Sequence, residues 1–559
     1  VKRLLAIGGA LALLAGCAQM PGATSIGAKP QVFCDGLAGK VIPAGLIGLP
    51  SGDATIDQAT LVAATDLAMR PQRAPTPAGS ILPAKPRRCE VKGHIAPRDP
   101  NAPPIRFQVN LPTEWNGRSV QYGGGGFNGT VISGEDLLPA ARYDQPAPLA
   151  LGYVTYGTDS GHEDRRGVPP QAFALNDEAL ENFAYASYKK VRDVAVALMK
   201  MSYGHAPRKM YFVGSSEGGR EALTMAQRFP RDFDGIIAGV PVIRWTGLQH
   251  AGIRDGIALM NGAWINPAQV KLVHDAVLAA CDAADGLADG IVSDPVGCRQ
   301  RFDIAKLRCT GAPADNCLTE LQIRAVQTLH SRVDLGVAVA NGLNDYPGRG
   351  PSGEGIPSFG PTGGWQAWWT GTAEPRVPPI PQNGIAWFFG AGAIQYFYAR
   401  DPLLDVRRYR IADHLPRVQQ VSALMDSTNP DLSAFRAGGG KLILLENLGD
   451  YAQSPYAGIE YHDAVAQKLG RDATDSFFKL YTAPNVDHVG TGGPANADLF
   501  AALVAWAEQG QAPAGLTLVE QDAVPPFAVK RSRPLCEWPA VPRYRGGDPN
   551  AAASFACAP

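Results

Sequence analysis

Lys209-Met-Tyr-Phe-Val213, Gly214-Ser-Ser-Glu-Gly218 and Gly219-Arg-Glu-Ala-Leu-Thr-Met-Ala-Gln-Arg228 follow one another without a break. The first block is a short apolar run of strand character, the last is rich in helix formers, and the middle block is a G-x-S-x-G turn. Strand, tight turn and helix in that order put Ser216 on a sharp bend. Small residues on either side let the backbone crowd together and push the hydroxyl into the open. In a chain with 63 glycines a bare G-x-S-x-G match says little. Its setting between strand and helix is what points to a nucleophile elbow.

Around this centre the pattern alternates. Residues 105–111, 119–122 and 152–156 read as strands, 177–201 carries apolar residues at helical spacing, and 236–240 is the next strand. That order predicts a mostly parallel sheet with helices on both faces. From about Arg244 to Gly440 the alternation lapses. The stretch 341–383 is crowded with Gly, Pro and Trp, including Trp365, Trp368 and Trp369, and shows no period of 2 or 3.6. Aromatics this dense need something to pack against, so the segment reads as a lid. Alternation resumes with strands at 441–445 and 477–481 and helices at 459–469 and 498–509. The expected organisation is an export signal over 1–16, a catalytic domain in two parts (17–243 and 441–559) and a lid domain over 244–440 between them.

The chain has 559 residues, enough for one large domain with an insertion. Its 51 basic and 52 acidic residues nearly cancel, and no basic block is present, which excludes nucleic acid as a partner. At the start, Lys2-Arg3 precede an apolar stretch from Leu4 to Ala15 and then Gly16-Cys17. A stretch of this length is too short to span a bilayer and has the layout of an export signal. Leu14-Ala15-Gly16-Cys17 resembles the bacterial lipoprotein box, in which the cysteine carries the lipid. The expectation is an exported protein of the bacterial cell envelope, held to a membrane only through a lipid anchor on Cys17; an ordinary cleaved signal is the alternative. Acyl chains contribute about 0.8 kcal/mol per buried methylene, so several would hold a soluble domain firmly.

Eight cysteines remain, an even number that suits disulfides in an oxidising compartment. Short loops favour Cys281 with Cys298, Cys309 with Cys317 and Cys536 with Cys557, which leaves Cys34 for Cys89. A zinc site would call for a C-x-x-C pair or a histidine cluster beside the cysteines, and the sequence has neither.

A serine nucleophile needs a base, and the base needs an acid to orient it; in sheets of this kind they follow in the order Ser, Asp or Glu, His. Of the nine histidines, His488 lies in a glycine-rich loop just after the strand at 477–481, where a base could reach back over the sheet. Asp450, beyond the strand at 441–445, is the favoured acid, with Glu446 its main rival and Asp487 a weaker one. The oxyanion hole needs backbone N–H groups aimed at the developing charge. Glu217 offers one, and Gly123-Gly-Gly-Gly126 is suited to the other, with Gly124 and Gly125 as the donors. No G-x-x-x-x-G-K-[ST] is present, so this loop does not read as a phosphate cradle.

With these residues in hand a resemblance emerges. Gly214-Ser-Ser-Glu-Gly-Gly-Arg-Glu-Ala-Leu223, Phe229-Pro-Arg-Asp-Phe-Asp-Gly-Ile-Ile-Ala-Gly239, Trp115-Asn-Gly-Arg118 and the His488 loop resemble the tannase and feruloyl esterase family, over about Phe33 to Cys557. The resemblance implies an α/β-hydrolase fold with a large lid, a catalytic triad of Ser216, His488 and Asp450, and hydrolysis of small esters of aromatic acids, phenolic or terephthalic in type. It leaves open which ester, and whether the preference is aromatic at all; a non-catalytic surface-binding lipoprotein on the same scaffold is the rival from another class. The lid aromatics Trp365, Trp368, Trp369, Trp387 and Phe388 are candidates to stack on the acyl ring. No organic cofactor is implied, and oligomeric state is not legible.

The resemblance also implies Ca²⁺ in the lid. Asp282-Ala-Ala-Asp-Gly-Leu-Ala-Asp-Gly-Ile291 matches the family's calcium loop, which implies Asp282, Asp285 and Asp289 as side-chain ligands and Leu287 and Ile291 as carbonyl ligands. Three carboxylates in so short a stretch repel one another unless a cation sits among them, and hard oxygen ligands suit Ca²⁺. Cys281 and Cys298 flank this loop and look like the disulfide that clasps it.

Two departures stand out. Family members usually carry a disulfide across the active site, from a cysteine just before the nucleophile to one just after the base; here those positions are Ser215 and Val489. The acid loop has Glu446-Asn447 where the family often has His-Gly. With no active-site disulfide to break, mild reductant is expected to leave the initial rate of ester hydrolysis unchanged while the lid disulfides hold. An immediate loss of rate at intact fold would contradict this.

Overall fold

The computed structural model describes residues 24–26, 30–70, 81–359 and 362–559, so the expected export signal and Cys17 lie outside the described residues. Eleven strands make one sheet. They are β1 (Val41–Ile42), β2 (Ala54–Val62), β3 (Arg88–Ile95), β4 (Ile105–Pro112), β5 (Arg118–Tyr122), β6 (Val154–Thr158), β7 (Lys209–Ser215), β8 (Gly235–Gly239), β9 (Lys441–Asn447), β10 (Phe478–Ala483) and β11 (Cys536–Glu537). Their order across the sheet is β1-β2-β3-β4-β6-β5-β7-β8-β9-β10-β11. From β6 to β10 every neighbouring pair is parallel. The pairs outside that block are antiparallel.

The central strands are covered on both faces, which is why they read as unbroken apolar runs. Phe212, Ile236, Leu442 and Leu444 face a core shared with helices α1 (Ser187–Tyr203), α2 (Glu217–Arg228) and Tyr456–Leu469. Val213, Ile237 and Ile443 point the other way, against Leu503 and Trp506 of helix Leu499–Gln509. The register matters most for function. Ser215 pairs with Gly239, Gly239 with Leu445 and Leu445 with Tyr481, so the turns after β7, β9 and β10 leave the sheet at one common edge.

The structure differs from the sequence reading in instructive places. The long antiparallel strands β2 and β3 escape a search for parallel α/β units, and a bulge between Ile56 and Gln58 breaks the alternation of β2. The helical stretch after Asp177 is continuous but widens into a π-helical segment at Asn182–Ala186. Among the described residues, 244–440 contributes no strand to the large sheet. It folds instead as helices, among them Trp245–Ile257, Pro267–Cys281, Glu320–His330 and Leu415–Met425. Two of these open on capping boxes, Asn266 with Gln269 and Thr319 with Gln322, a local signal the reading by alternation passes over. The Gly-, Pro- and Trp-rich stretch holds short strands and a π-helical turn at Gln366–Thr370.

Disulfides join Cys34 to Cys89, Cys281 to Cys298, Cys309 to Cys317 and Cys536 to Cys557, with Cα separations of 5.7, 5.4, 4.9 and 5.5 Å. Such bonds fit an oxidising compartment. No helix among the described residues is long and apolar enough to cross a membrane.

Candidate active site

Ser216 follows β7 directly and precedes α2, with φ 61° and ψ −123°. This is a left-handed conformation that a side chain rarely adopts. Two glycines make the bend sterically feasible. A Cβ on Gly214 would lie 2.2 Å from the Gly218 carbonyl oxygen, and one on Gly218 would lie 2.6 Å from the Gly124 carbonyl oxygen. The bend is pinned by the Ser216 N–H, which donates to the Gly239 carbonyl at 2.9 Å.

At the common edge of the sheet, His488 Nε2 lies 2.8 Å from Ser216 Oγ, and His488 Nδ1 lies 2.7 Å from Asp450 Oδ2. Asp450 is buried, and its other oxygen accepts the N–H groups of Ala452 at 2.7 Å and Gln453 at 3.1 Å. Burial by itself pulls the His488 imidazole down, but the Asp450 charge and hydrogen bond outweigh it and hold the imidazole above its ordinary 6.5.

The rival acids have other partners. Glu446 sits behind Asp450, where Gln453 Nε2 donates to Glu446 Oε2 at 2.8 Å and to Asp450 Oδ2 at 3.2 Å. Burial, with the Asp450 charge adding to it, raises the Glu446 carboxyl well above its usual range. Asp487 shapes the base loop: its Oδ1 accepts the N–H groups of Val489 at 3.1 Å and Thr491 at 2.9 Å. Asn447 Nδ2 donates to the Asp487 carbonyl at 2.7 Å. Ser215 and Val489 both line the cavity beside Ser216.

The Glu217 N–H stands at the first turn of α2, where helix geometry leaves it without an intrahelical acceptor. Its side chain faces inward to the fully buried Arg220, whose Nε donates to Glu217 Oε1 at 2.7 Å. Gly124 and Gly125 require a correction as oxyanion donors. The Gly124 N–H donates to Glu221 Oε2 at 2.9 Å and the Gly125 N–H to Asn128 Oδ1 at 2.6 Å, so both are engaged inside the loop. The loop residue that lines the cavity beside Ser216 is Gly126, at φ 59°.

That cavity measures about 610 Å³. Its walls carry Phe127, Tyr143, Trp245, Trp368 and Phe389 together with Ser216, Glu217 and His488. The Trp368 ring meets the His488 ring edge-on at 5.2 Å. Of the five lid aromatics expected to face an acyl ring, Trp368 alone is among the lining residues. Trp365 and Trp369 pack edge to face within the lid core, Trp387 Nε1 donates to the Arg376 carbonyl, and Phe388 is 39% exposed. Phe127, Trp245 and Phe389 were missed. Phe127 directly follows the four-glycine loop and Trp245 comes six residues after Gly239, at the ends of β5 and β8, a position in the chain that could have marked them.

In the acidic lid loop, the Asp289 and Gly290 N–H groups donate to Asp282, the Leu287 N–H to Asp285 and the Ile291 N–H to Asp289. Arg533 pairs with the free side of Asp289, and Ser293 Oγ donates to Asp285 Oδ2. The donor chemistry, carboxylates with the carbonyls of Leu287 and Ile291, is that of a Ca²⁺ site. Among the described residues no three carboxylate, imidazole or thiol groups come together so as to hold a metal ion, so a cation there would need the loop to rearrange, with Asp289 released from Arg533.

Known proteins resemble this chain over nearly its whole length. The family described as tannase and feruloyl esterase matches residues 89–558. An uncharacterized esterase of Agrobacterium fabrum is 35% identical over 544 residues, covering 94% of this chain and 93% of that one. The mono(2-hydroxyethyl) terephthalate hydrolase of Piscinibacter sakaiensis is 31% identical over 561 residues, 89% of each chain. In architecture, the crystal structure of feruloyl esterase B from Aspergillus oryzae superposes with a TM-score of 0.73 at 24% identity, covering 95% of this chain and 100% of that one.

The geometry predicts how esterase activity responds to pH. A base at His488 must be neutral to accept a proton, and Asp450 raises its proton affinity, so kcat/KM should fall as pH drops through a midpoint above 6.5. Asp450→Asn leaves burial opposed only by the Asp487 charge; the midpoint should move down and kcat should fall by about 10⁴. A pH–rate profile unmoved by D450N would contradict the assignment.

Proposed function

Because this chain belongs to the tannase and feruloyl esterase family, whose members are carboxylic ester hydrolases of α/β-hydrolase fold, we propose that it cleaves esters of aromatic acids through an acyl-enzyme on Ser216. The observation that carries this reading is the pair of hydrogen bonds linking Ser216 to His488 and His488 to Asp450, with Ser216 and His488 lining a cavity that also carries aromatic side chains.

In the proposed cycle His488 takes the Ser216 proton as the oxygen attacks the ester carbonyl, then gives it to the departing alcohol. A water activated by the same imidazole releases the acid. Asp450 keeps the imidazole in the tautomer whose Nε2 faces Ser216 and stabilises its protonated form. The N–H groups of Glu217 and Gly126 are the proposed donors to the oxyanion, each such donor being worth about 10² to 10³ in kcat. Support for an aromatic acyl group comes from Phe127, Trp245, Trp368 and Phe389 in the wall. The polar side chains of the lining include Tyr143, Gln249, Asn447 and Asn496, and no Lys or Arg among the described residues. A phenolic acid suits these groups better than one bearing a free carboxylate, which would lose its hydration without a counter-charge.

A panel of methyl gallate, methyl ferulate, mono(2-hydroxyethyl) terephthalate and simple alkyl esters tests the reading. The expected outcome is highest kcat/KM on a phenolic ester and a loss of at least about 10³ in Ser216→Ala. Equal turnover of alkyl esters would remove the aromatic preference. No turnover of any ester, p-nitrophenyl acetate included, would favour the non-catalytic binding protein.

The same reading includes Ca²⁺ in the loop of Asp282, Asp285 and Asp289 with the carbonyls of Leu287 and Ile291, which requires Arg533 to give up Asp289. The ion's part would be to neutralise the clustered carboxylates and fix the lid. Millimolar Ca²⁺ added to chelator-treated protein should then raise the thermal midpoint by several degrees. An unchanged midpoint would count against the site. Lipidation of Cys17 and anchorage to the cell envelope belong to this reading too, on the strength of the Leu14-Ala15-Gly16-Cys17 pattern.

A further inference from the structure

We propose that Glu221 is the positioning residue for the oxyanion side of the site, holding the four-glycine loop in register with the nucleophile helix. This rests on the reading of Ser216 as the nucleophile. Glu221 lies on α2, five residues beyond Ser216, and is fully buried. Its Oε2 accepts the Gly124 N–H at 2.9 Å, and its Oε1 accepts Tyr188 Oη–H at 2.7 Å and Asn128 Nδ2–H at 2.8 Å. All three partners donate, so the side chain acts through acceptors alone, as a carboxylate does.

Asn128 extends the grip. It sits at φ 57° and turns its Oδ1 back to accept the Gly125 N–H at 2.6 Å, while Nδ2 also reaches Ser160 Oγ at 2.7 Å. Two consecutive loop N–H groups are thus drawn inward, one by Glu221 directly and one through Asn128. The chain then turns through Gly126, which faces the cavity. The Gly218 N–H donates back to the Gly124 carbonyl at 3.2 Å, tying the loop to the first turn of α2. The fit leaves no slack: a Cβ on Gly123 would lie 2.7 Å from the Gly218 Cα and 3.1 Å from Glu221 Oε2, and one on Gly124 would lie 2.0 Å from Asn128 Oδ1.

Both proposed oxyanion donors therefore take their positions from one helix: Glu217 through the backbone, Gly126 through the Glu221 carboxylate. Hydrogen bonds to a developing oxyanion fall off steeply with misplacement, so a loop that drifts loses rate without losing substrate affinity. A glutamine at 221 keeps the shape but has a single acceptor oxygen. It can serve Gly124 or the Asn128–Tyr188 pair, not both, and its amide must then face an N–H or O–H donor.

The test is Glu221→Gln beside Asn128→Gly, which keeps the left-handed backbone and removes the side chain that holds Gly125. Each is measured for kcat, KM, thermal midpoint, and affinity for an aryl boronic acid and for the product acid. The proposal expects kcat to fall about 10- to 100-fold with KM within two-fold, and boronic acid affinity to fall in parallel while product affinity holds. If E221Q does not fold, N128G carries the test. It is overturned if a folded variant keeps kcat within two-fold, if product and boronic acid affinities fall together, or if both variants fail to fold, which would assign the network to stability alone. Ser216→Ala in parallel separates the two readings. Loss of turnover in S216A with E221Q unaffected overturns the role of Glu221 alone, whereas turnover persisting in S216A removes the nucleophile and the proposal with it.

Discussion

The backbone contact beneath Ser216 is the constraint on which the rest of the site depends. Ser216 occupies a conformation that costs on the order of 1–3 kcal/mol, and it persists because the surroundings leave the chain no other path. The Gly218 carbonyl stands where a side chain on Gly214 would be, and the Gly124 carbonyl where one on Gly218 would be. Strand, helix and glycine loop therefore meet backbone to backbone. Relaxing the bend would move Ser216 Oγ away from His488 and the N–H of Glu217 away from its present aim, so the proposed nucleophile and the proposed oxyanion donor are set by one piece of geometry.

The opposite wall is held by polar contacts where the family often uses a covalent link. Asp487 closes the base loop by accepting the N–H groups of Val489 and Thr491, and Asn447 fastens it to the end of β9. Thr491 Oγ1 donates to the Pro357 carbonyl of the lid. Asn485 Nδ2 donates both to the Gly492 carbonyl within the loop and to the Gly290 carbonyl of the acidic lid loop. The lid thus does more than roof the cavity: it supports the segment that carries His488. Glu446, where a histidine is common in the family, is absorbed by a neutral amide bridge through Gln453 rather than by a direct contact with the imidazole.

The central sheet was legible because its parallel strands are buried on both faces and their apolar runs alternate with helices. The same criterion left β2 and β3 unread, since one face of each carries polar residues and β2 is bulged. Ser216, Asp450 and His488 could be singled out because the order of strand ends along the chain restricts where a base and an acid can stand. The donors of the glycine loop could not be assigned this way: four glycines in a row look alike in sequence, and what distinguishes Gly124 and Gly125 from Gly126 is their capture by Glu221 and Asn128, residues 97 and 3 positions away. The lid aromatics failed for a related reason. Tryptophans signal packing, and nothing local says whether the packing partner is the lid core, as for Trp365 and Trp369, or the cavity, as for Trp368.

Covalent capture tests the central claim most directly. One equivalent of diethyl p-nitrophenyl phosphate, followed by peptide mass spectrometry, should place a single diethylphosphoryl group on Ser216 with release of one p-nitrophenolate, and labelling should be lost in His488→Ala. A folded, esterase-active protein that stays unlabelled, or that carries the adduct on another residue, would contradict the account.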